Sequence, residues 1–166
     1  QKDFDNFRRK WEDQLSPFKA IFFQERQRLR REDLNSWIEL HDVYSDVITV
    51  MKDLHNQGRL LIATLKDGES VKLILNKNGI VISQKDILDQ SQISSKLEAL
   101  DYFVNDKKIK KEELCFIDDN VTHLTNPSDN NFNVFLSGWG ITMDEHKEKA
   151  RKRNIPIMET INGRLF

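Results

Sequence analysis

The stretch Leu114-Cys115-Phe116-Ile117-Asp118-Asp119-Asn120 decides how the rest of the chain is interpreted. A short apolar run bounded by charged residues on both sides is typical of a buried β-strand. Two adjacent carboxylates then follow the strand directly. In an open α/β sheet, ligands bind beyond the carboxyl ends of the strands. The stretch therefore predicts a central strand that carries Asp118 and Asp119 to the ligand-binding edge of a sheet.

The residues alone allow two interpretations of this carboxylate pair. Neighbouring carboxylates repel each other, and a bound cation such as Mg²⁺, which prefers oxygen ligands, relieves that repulsion. Asp and Asn are also good helix N-caps, so the same residues could simply begin a helix. A metal site and a helix cap both remain open at this point.

Composition narrows the functional classes. The 166 residues are enough for one domain with a core, or a domain with a small appendage. The 26 basic and 27 acidic side chains leave no net charge that favours nucleic acid or a membrane surface, so neither is expected as a partner. No apolar run approaches the roughly 20 residues of a membrane span. The lone Cys115 is expected in the core, and a free thiol fits a reducing, cytoplasmic location. Oligomeric state is left open.

Helical spacing of apolar residues predicts helices over residues 1–57. Ser16-Pro17 is expected to begin one helix, Asp33 another, and Ser45 or Asp46 a third that ends at Gly58. An aromatic stripe in this portion either forms its own core, which the pattern favours, or shapes a pocket. The stripe consists of Phe18, Phe22, Phe23, Trp37 and Tyr44.

From residue 58 to 166 the pattern alternates between strand and helix. Such alternation predicts a doubly wound, parallel, Rossmann-like α/β sheet, preceded by a helical portion over 1–57. A polar loop is expected at 126–131. The predicted strands are 60–63, 80–82, 114–117, 132–136 and 155–157, and the predicted helices are 68–76, 94–104 and 143–153.

These elements resemble the haloacid dehalogenase-like (HAD) hydrolases, which are mostly Mg²⁺-dependent phosphatases. The run 60–66, with its strand ending at Thr64, resembles their second motif, and Lys96 at a helix start resembles their third. The run 115–120, with its paired aspartates, resembles their fourth. The run 133–140 resembles the strand and turn that follow. The similarity covers roughly residues 45 to 160.

The resemblance implies an α/β core of the HAD type under a helical cap, and specific roles for the motif residues. Thr64 would bind a phosphoryl oxygen, and Lys96 would neutralise the phosphate and the nucleophile. Asp119, helped by Asp118, would hold Mg²⁺. The substrate would be a small phosphorylated metabolite. The four histidines lack metal-ligand spacing, and His123 is expected in a surface loop or helix, bordering the site at most.

This sequence departs from the pattern of the family at the first motif, which is Asp-x-Asp at the end of a buried strand. Asp3 and Asp5 have the right spacing, but only Gln1-Lys2 precedes them. The strand and nucleophile could be missing from the chain, or Asp3 and Asp5 could be the catalytic pair after loss of the strand. Alternatively, the chain is a non-catalytic relative that serves as a binding or regulatory module.

The first of these interpretations, in which the strand and the nucleophile are missing, predicts that the isolated chain is poorly stable. Without a central strand, the strands that end at Thr64 and Asp118 would keep unpaired edges, which promote aggregation. We expect a thermal melt, followed by circular dichroism and light scattering, to show a broad transition or aggregation. A cooperative melt of a monomer would contradict this expectation.

Overall fold

A computed structural model describes residues 10–161, which divide into two compact units, one up to Asp42 and one from Val43 onward. The protein is of the mixed α/β class, as the sequence indicates. The division lies before the helix Ser45–Asn56, whereas the sequence pattern places this helix in the helical portion that ends at residue 57. The reason is packing, since Ile48 and Met51 of this helix contact a core cluster of the second unit.

The first unit contains helices α1 (Glu12–Glu32) and α2 (Leu34–Glu39). The predicted helix start at Ser16-Pro17 is wrong, because α1 continues through Pro17. A proline inside a helix lacks one amide donor, and α1 is formed despite that loss. Asp33 behaves as expected: its Oδ1 accepts a hydrogen bond from the Ser36 amide at 3.0 Å and caps α2.

The aromatic stripe does not form a common core. Phe18, Phe22 and Phe23 on α1 are 46–64% exposed, and Tyr44 is exposed as well. Only Trp37 is buried; its ring lies 4.3 Å from the His41 ring between centroids, tilted by 48°, and the Arg30 guanidinium lies over it. The favoured prediction of a shared core is therefore wrong for all of the stripe except Trp37.

The second unit alternates helices with short parallel strands. Strand β1 (Ile62–Ala63) pairs with β2 (Ile87–Leu88) in one sheet, and β3 (Cys115–Asp118), β4 (Asn133–Ser137) and β5 (Ile157–Met158) form a second sheet in that order. All three pairings are parallel. In chain order the elements are α3 (Ser45–Asn56), β1 (Ile62–Ala63), α4 (Gly68–Lys77), β2 (Ile87–Leu88), α5 (Lys96–Asn105), β3 (Cys115–Asp118), α6 (Val121–Asp129), β4 (Asn133–Ser137), α7 (Asp144–Lys152) and β5 (Ile157–Met158).

The structure contradicts two of the predicted segments, the strand at 80–82 and the loop at 126–131. The run 80–82 is not a strand, and its place beside β1 is taken by β2. Ile80 and Ile82 are buried while Val81 is 74% exposed, so the run alternates like a strand without joining a ladder. The predicted loop at 126–131 is largely helix, since α6 extends to Asp129 through the fully buried Pro127.

One core connects the two sheets. Leu88 of β2 belongs to the same cluster of buried side chains as Val134 and Leu136 of β4, and Ala63 and Phe116 pack against it. Both sheets thus rest on a shared apolar layer. Among the described residues, no helix has both the length and the apolar character that crossing a membrane requires.

Leu136 tests this core, because its side chain is fully buried in β4. Leu136→Ala should lower the free energy of unfolding by about 2–5 kcal/mol through lost burial and the cavity left behind. Val81→Ala, at an exposed site, is the control and should change it by less than about 0.5 kcal/mol. Urea denaturation measures both, and equal effects of the two substitutions would contradict the assigned core.

Candidate functional site

The candidate site lies at the carboxyl ends of β1 and β3, where the beginning of α5 meets them. Ser95 caps α5, accepting a hydrogen bond at its Oγ from the Glu98 amide at 3.2 Å. This cap begins the helix at Lys96, whose side chain reaches across to both strands. The predicted helix over 94–104 is confirmed, with its first residue at Lys96.

Lys96 is buried although it carries an ammonium group; its side chain is 8% exposed. Nζ donates a hydrogen bond to the Ala63 carbonyl at 2.5 Å and lies 3.6 Å from Asp118 Oδ2. It also lies 5.7 Å from the centre of the Phe116 ring, within cation–π range. Burial lowers the pKa of Lys96, and the nearby Asp118 and Asp119 carboxylates oppose that shift.

Asp118 is held on its other side by the start of α6. Its Oδ1 accepts a hydrogen bond from the Asn120 amide at 2.8 Å and lies 3.1 Å from Nδ1 of His123. The Asn120 side chain caps α6 by accepting from the Thr122 amide at 3.0 Å. From the sequence, His123 is expected to border the site at most. The sequence does not predict helix α6, which carries His123 toward Asp118.

Asp119 is exposed and stands next to the turn that follows β4. A Cβ added at Gly140 would lie 2.7 Å from Asp119 Cβ and 3.1 Å from Ser137 Oγ, so only glycine fits here without a shift. The Thr142 hydroxyl lies 2.7 Å from the Ser137 carbonyl and 3.3 Å from that of Asp119, and ties the turn to both strands. The turn therefore fixes the position of Asp119 and leaves its carboxylate facing solvent.

Thr64 follows β1 directly and lies next to the carbonyl that Lys96 contacts. Its amide donates to the Leu88 carbonyl at 2.9 Å, and its Oγ1 accepts from the Lys66 amide at 3.0 Å. The structure thus brings Thr64, Lys96, Asp118 and Asp119 to one edge, as the motif order predicted. Asp3 and Asp5 lie outside the described residues.

A pocket of about 130 Å³ opens beside these groups, between the starts of α5 and α6. Ser95 and Lys96 line it from one helix and Thr122 and His123 from the other. The pocket was not predicted from sequence, since it needs both helices in place. Polar side chains and the apolar residues Leu65, Leu97 and Pro127 together line this small space beside Lys96.

The carboxylates of Asp118 and Asp119 are the candidate ligands for Mg²⁺ at this site. Across residues 10–161, no group of three or more His, Cys, Asp or Glu side chains is arranged to hold a metal ion. Mg²⁺, however, often uses only one or two carboxylates and takes water and phosphate oxygens for the rest. The exposed Asp119 carboxylate, fixed by the Gly140 contact and adjacent to Asp118, meets that requirement. The residues present fit Mg²⁺ in this mode.

Comparisons of sequence and fold find no protein family, curated protein or solved structure that matches the chain. The resemblance drawn from the motifs remains a prediction.

Lys96 gives a pH test of the site. Its pKa in the folded protein lies below the ordinary value of 10.5, so between those two values the unfolded chain binds more protons than the folded one. The free energy of unfolding should therefore rise with pH across that window. Urea denaturation at several pH values should show this rise in the wild-type chain and a smaller rise in Lys96→Met.

Lys110→Met is the matched control, because the Lys110 side chain is 69% exposed and pairs only with the nearby Glu113 among the described residues. It should keep the wild-type pH dependence. An unchanged slope in Lys96→Met would show that the ammonium is not buried as described.

Proposed function

We propose that this chain is a HAD-like phosphohydrolase that uses Mg²⁺ to act on a small phosphorylated metabolite through an aspartyl-phosphate. One observation carries the proposal: the buried ammonium of Lys96 lies between the carboxyl ends of β1 and β3, beside Asp118 and close to the exposed Asp119. A cation held next to paired carboxylates at a strand-end edge suits a phosphoryl group better than a neutral ligand.

The hydrogen-bonding capacity and charge of each side chain determine how it would interact with a phosphoryl group. Thr64 Oγ1 accepts from the Lys66 amide, so its own hydrogen is available to donate to a phosphoryl oxygen. The Lys96 ammonium would offset the negative charge of the phosphate. Asp119 and Asp118 would hold Mg²⁺, which supplies further positive charge next to the phosphoryl oxygens.

The covalent step needs an aspartate nucleophile. Its carboxylate oxygen would attack phosphorus and form an aspartyl-phosphate, while the bond from phosphorus to the substrate oxygen breaks and a second aspartate, two residues later, donates a proton to the leaving alcohol. That second aspartate would then accept a proton from the water that hydrolyses the acyl phosphate. Asp3 and Asp5 are the candidates in this chain. The doubly wound arrangement and the cytoplasmic location belong to the same proposal. The parallel pairing of β1 with β2, and of β4 with β3 and β5, supports the doubly wound arrangement.

A second function is favoured by the surroundings of Asp118. Lys96, Asn120 and His123 all contact its carboxylate, so a metal ion would have to compete with them. A non-catalytic relative would use the same ammonium and hydroxyl to bind a phosphorylated ligand as a regulatory module. This candidate predicts phosphate binding without turnover.

Hydrolysis of an aryl phosphate by the whole chain, with Mg²⁺ or with EDTA, tests the proposal. Phosphate release should require Mg²⁺. Its rate should fall at least about 100-fold in Asp119→Asn, because this substitution removes the negative charge of the metal ligand. Asp101→Asn, at an exposed position on α5, is the control and should retain activity.

The outcomes separate the two functions. Release that persists in EDTA or in Asp119→Asn would contradict the metal role. Absence of release together with binding of inorganic phosphate that Lys96→Met abolishes would favour the binding module. Absence of both would contradict a phosphate site altogether.

A further inference from the structure

The pocket between the starts of α5 and α6 lies beside the groups assigned to the phosphoryl group. Lys96 lines this pocket, and so does Leu65, which directly follows Thr64 in the chain. A phosphoryl group bound by Thr64 and Lys96 would therefore lie next to the pocket. The organic part of the substrate, beyond the ester oxygen, would then occupy it.

The volume and the walls of the pocket limit what this organic part can be. A cavity of about 150 Å³ holds one benzene ring, so this pocket of about 130 Å³ takes one small ring or a short chain. Leu65, Leu97 and Pro127 form its apolar wall. Such a wall packs against carbon–hydrogen groups, while the polar side chains of a pocket fix the orientation of the ligand.

Two hydroxyl groups of the pocket already donate their hydrogens to other residues. Thr122 Oγ1 donates to Asn120 Oδ1 at 2.7 Å, and Ser94 Oγ donates to Glu98 Oε2 at 2.8 Å. A hydroxyl group has one hydrogen and two lone pairs. Each of these two oxygens therefore meets a ligand as a hydrogen-bond acceptor.

The His123 ring adds another acceptor. Its Nδ1 lies 3.1 and 3.2 Å from the two carboxylate oxygens of Asp118. An ionised carboxylate only accepts hydrogen bonds, so Nδ1 carries the hydrogen and donates it. In the neutral ring Nε2 is then an acceptor, and it is the nitrogen left for a ligand.

The pocket offers fewer donors. Ser95 Oγ accepts from the Glu98 amide at 3.2 Å, which leaves its hydrogen for a ligand. Asn126 lies one turn of α6 beyond Thr122 and lines the same pocket with an amide, which both donates and accepts. Acceptors therefore exceed donors, and a ligand that donates several hydrogen bonds fits best.

Charge disfavours two other classes of ligand. No acidic residue is among the described residues that line the pocket, whereas the Lys96 ammonium is. A cationic group would be repelled by that ammonium without meeting a carboxylate in the pocket. A second anionic group would face the lone pairs of Thr122 and Ser94, which have no hydrogen left to donate. An uncharged ligand with hydroxyl groups remains.

We propose that this pocket binds the hydroxyl groups of a small polyol or a monosaccharide, and, resting on the proposed phosphohydrolase function, that the substrate is a phosphate monoester of such a compound. The hydroxyl groups donate to Thr122, Ser94 and His123. The carbon–hydrogen groups of the same compound pack against the apolar wall. Residues at the starts of α5 and α6 thus select the substrate of the neighbouring phosphoryl site.

Two phosphate esters of equal chain length test this selection in the whole chain. Glycerol 1-phosphate carries free hydroxyl groups, and propyl phosphate lacks them. With Mg²⁺, kcat/KM for phosphate release should be at least about tenfold higher for glycerol 1-phosphate, because a site that hydrogen-bonds substrate hydroxyl groups rejects an analogue without them. Equal values, or a preference for propyl phosphate, would overturn the polyol pocket and leave the hydrolase intact.

Thr122→Val tests the assigned acceptor. It should lower kcat/KM for glycerol 1-phosphate about fivefold, the value of one hydrogen bond, and leave that for propyl phosphate unchanged. Thr122→Ser keeps the hydroxyl and should retain the preference. Thr125→Val is the matched control, because Thr125 lies on the same helix, bonds to the Val121 carbonyl and is outside the pocket lining. Loss of the preference in Thr125→Val, or its full retention in Thr122→Val, would contradict the assignment.

Binding keeps the pocket testable if the chain has no activity. In ¹⁵N–¹H spectra of the whole chain, glycerol 1-phosphate should shift the amides of Thr122 and Asn126 and bind at least about tenfold more tightly than propyl phosphate. That preference without turnover would contradict the hydrolase alone. Equal affinities would overturn the polyol pocket, and binding of neither ester would contradict both the pocket and the phosphate site.

Discussion

A single buried ammonium group joins the two sheets at the candidate site. Removing such a group from water is costly unless it is paired and hydrogen-bonded. Lys96 meets this requirement with the Ala63 carbonyl, the Asp118 carboxylate and the face of Phe116, which come from two different strands. The ends of β1 and β3 must therefore stay close to each other and to the start of α5 for the ammonium to remain buried.

The remaining features of the site follow from that constraint. With Lys96 beside one oxygen of Asp118, the other oxygen is contacted by the start of α6, and Asp119 is turned toward solvent against Gly140. The arrangement places one cation and two carboxylates at an edge that also carries a threonine hydroxyl. It also leaves the backbone of β1 and β3 joined through a side chain rather than through a ladder.

Local chemistry made part of this structure predictable. The strand ending at Asp118, the cap of α5 by Ser95 and the left-handed conformations of Gly58 and Gly79 each depend on a few neighbouring residues. The order of Thr64, Lys96 and the aspartates along the chain also predicted their meeting at one edge. Strands of one parallel sheet bring their carboxyl ends together; β1 and β3 lie in two sheets, and Lys96 contacts the ends of both.

Other features depend on contacts between distant residues, and the sequence did not reveal them. The partner of β1 is Ile87–Leu88 rather than 80–82, because both runs are apolar and only tertiary packing selects one. The residues 118–120 allow either a metal site on the aspartates or a helix cap, so the sequence does not define α6 or the contact of His123 with Asp118. Helix α1 crosses Pro17, which local preference treats as a boundary.

A double-mutant cycle of Lys96→Met and Asp118→Asn, read as free energies of unfolding in urea, tests the central claim most directly. If the buried ammonium joins the two strand ends, the two substitutions should couple by about 0.5–3 kcal/mol. Effects that add to within about 0.3–0.5 kcal/mol would contradict it, because residues that do not interact behave additively.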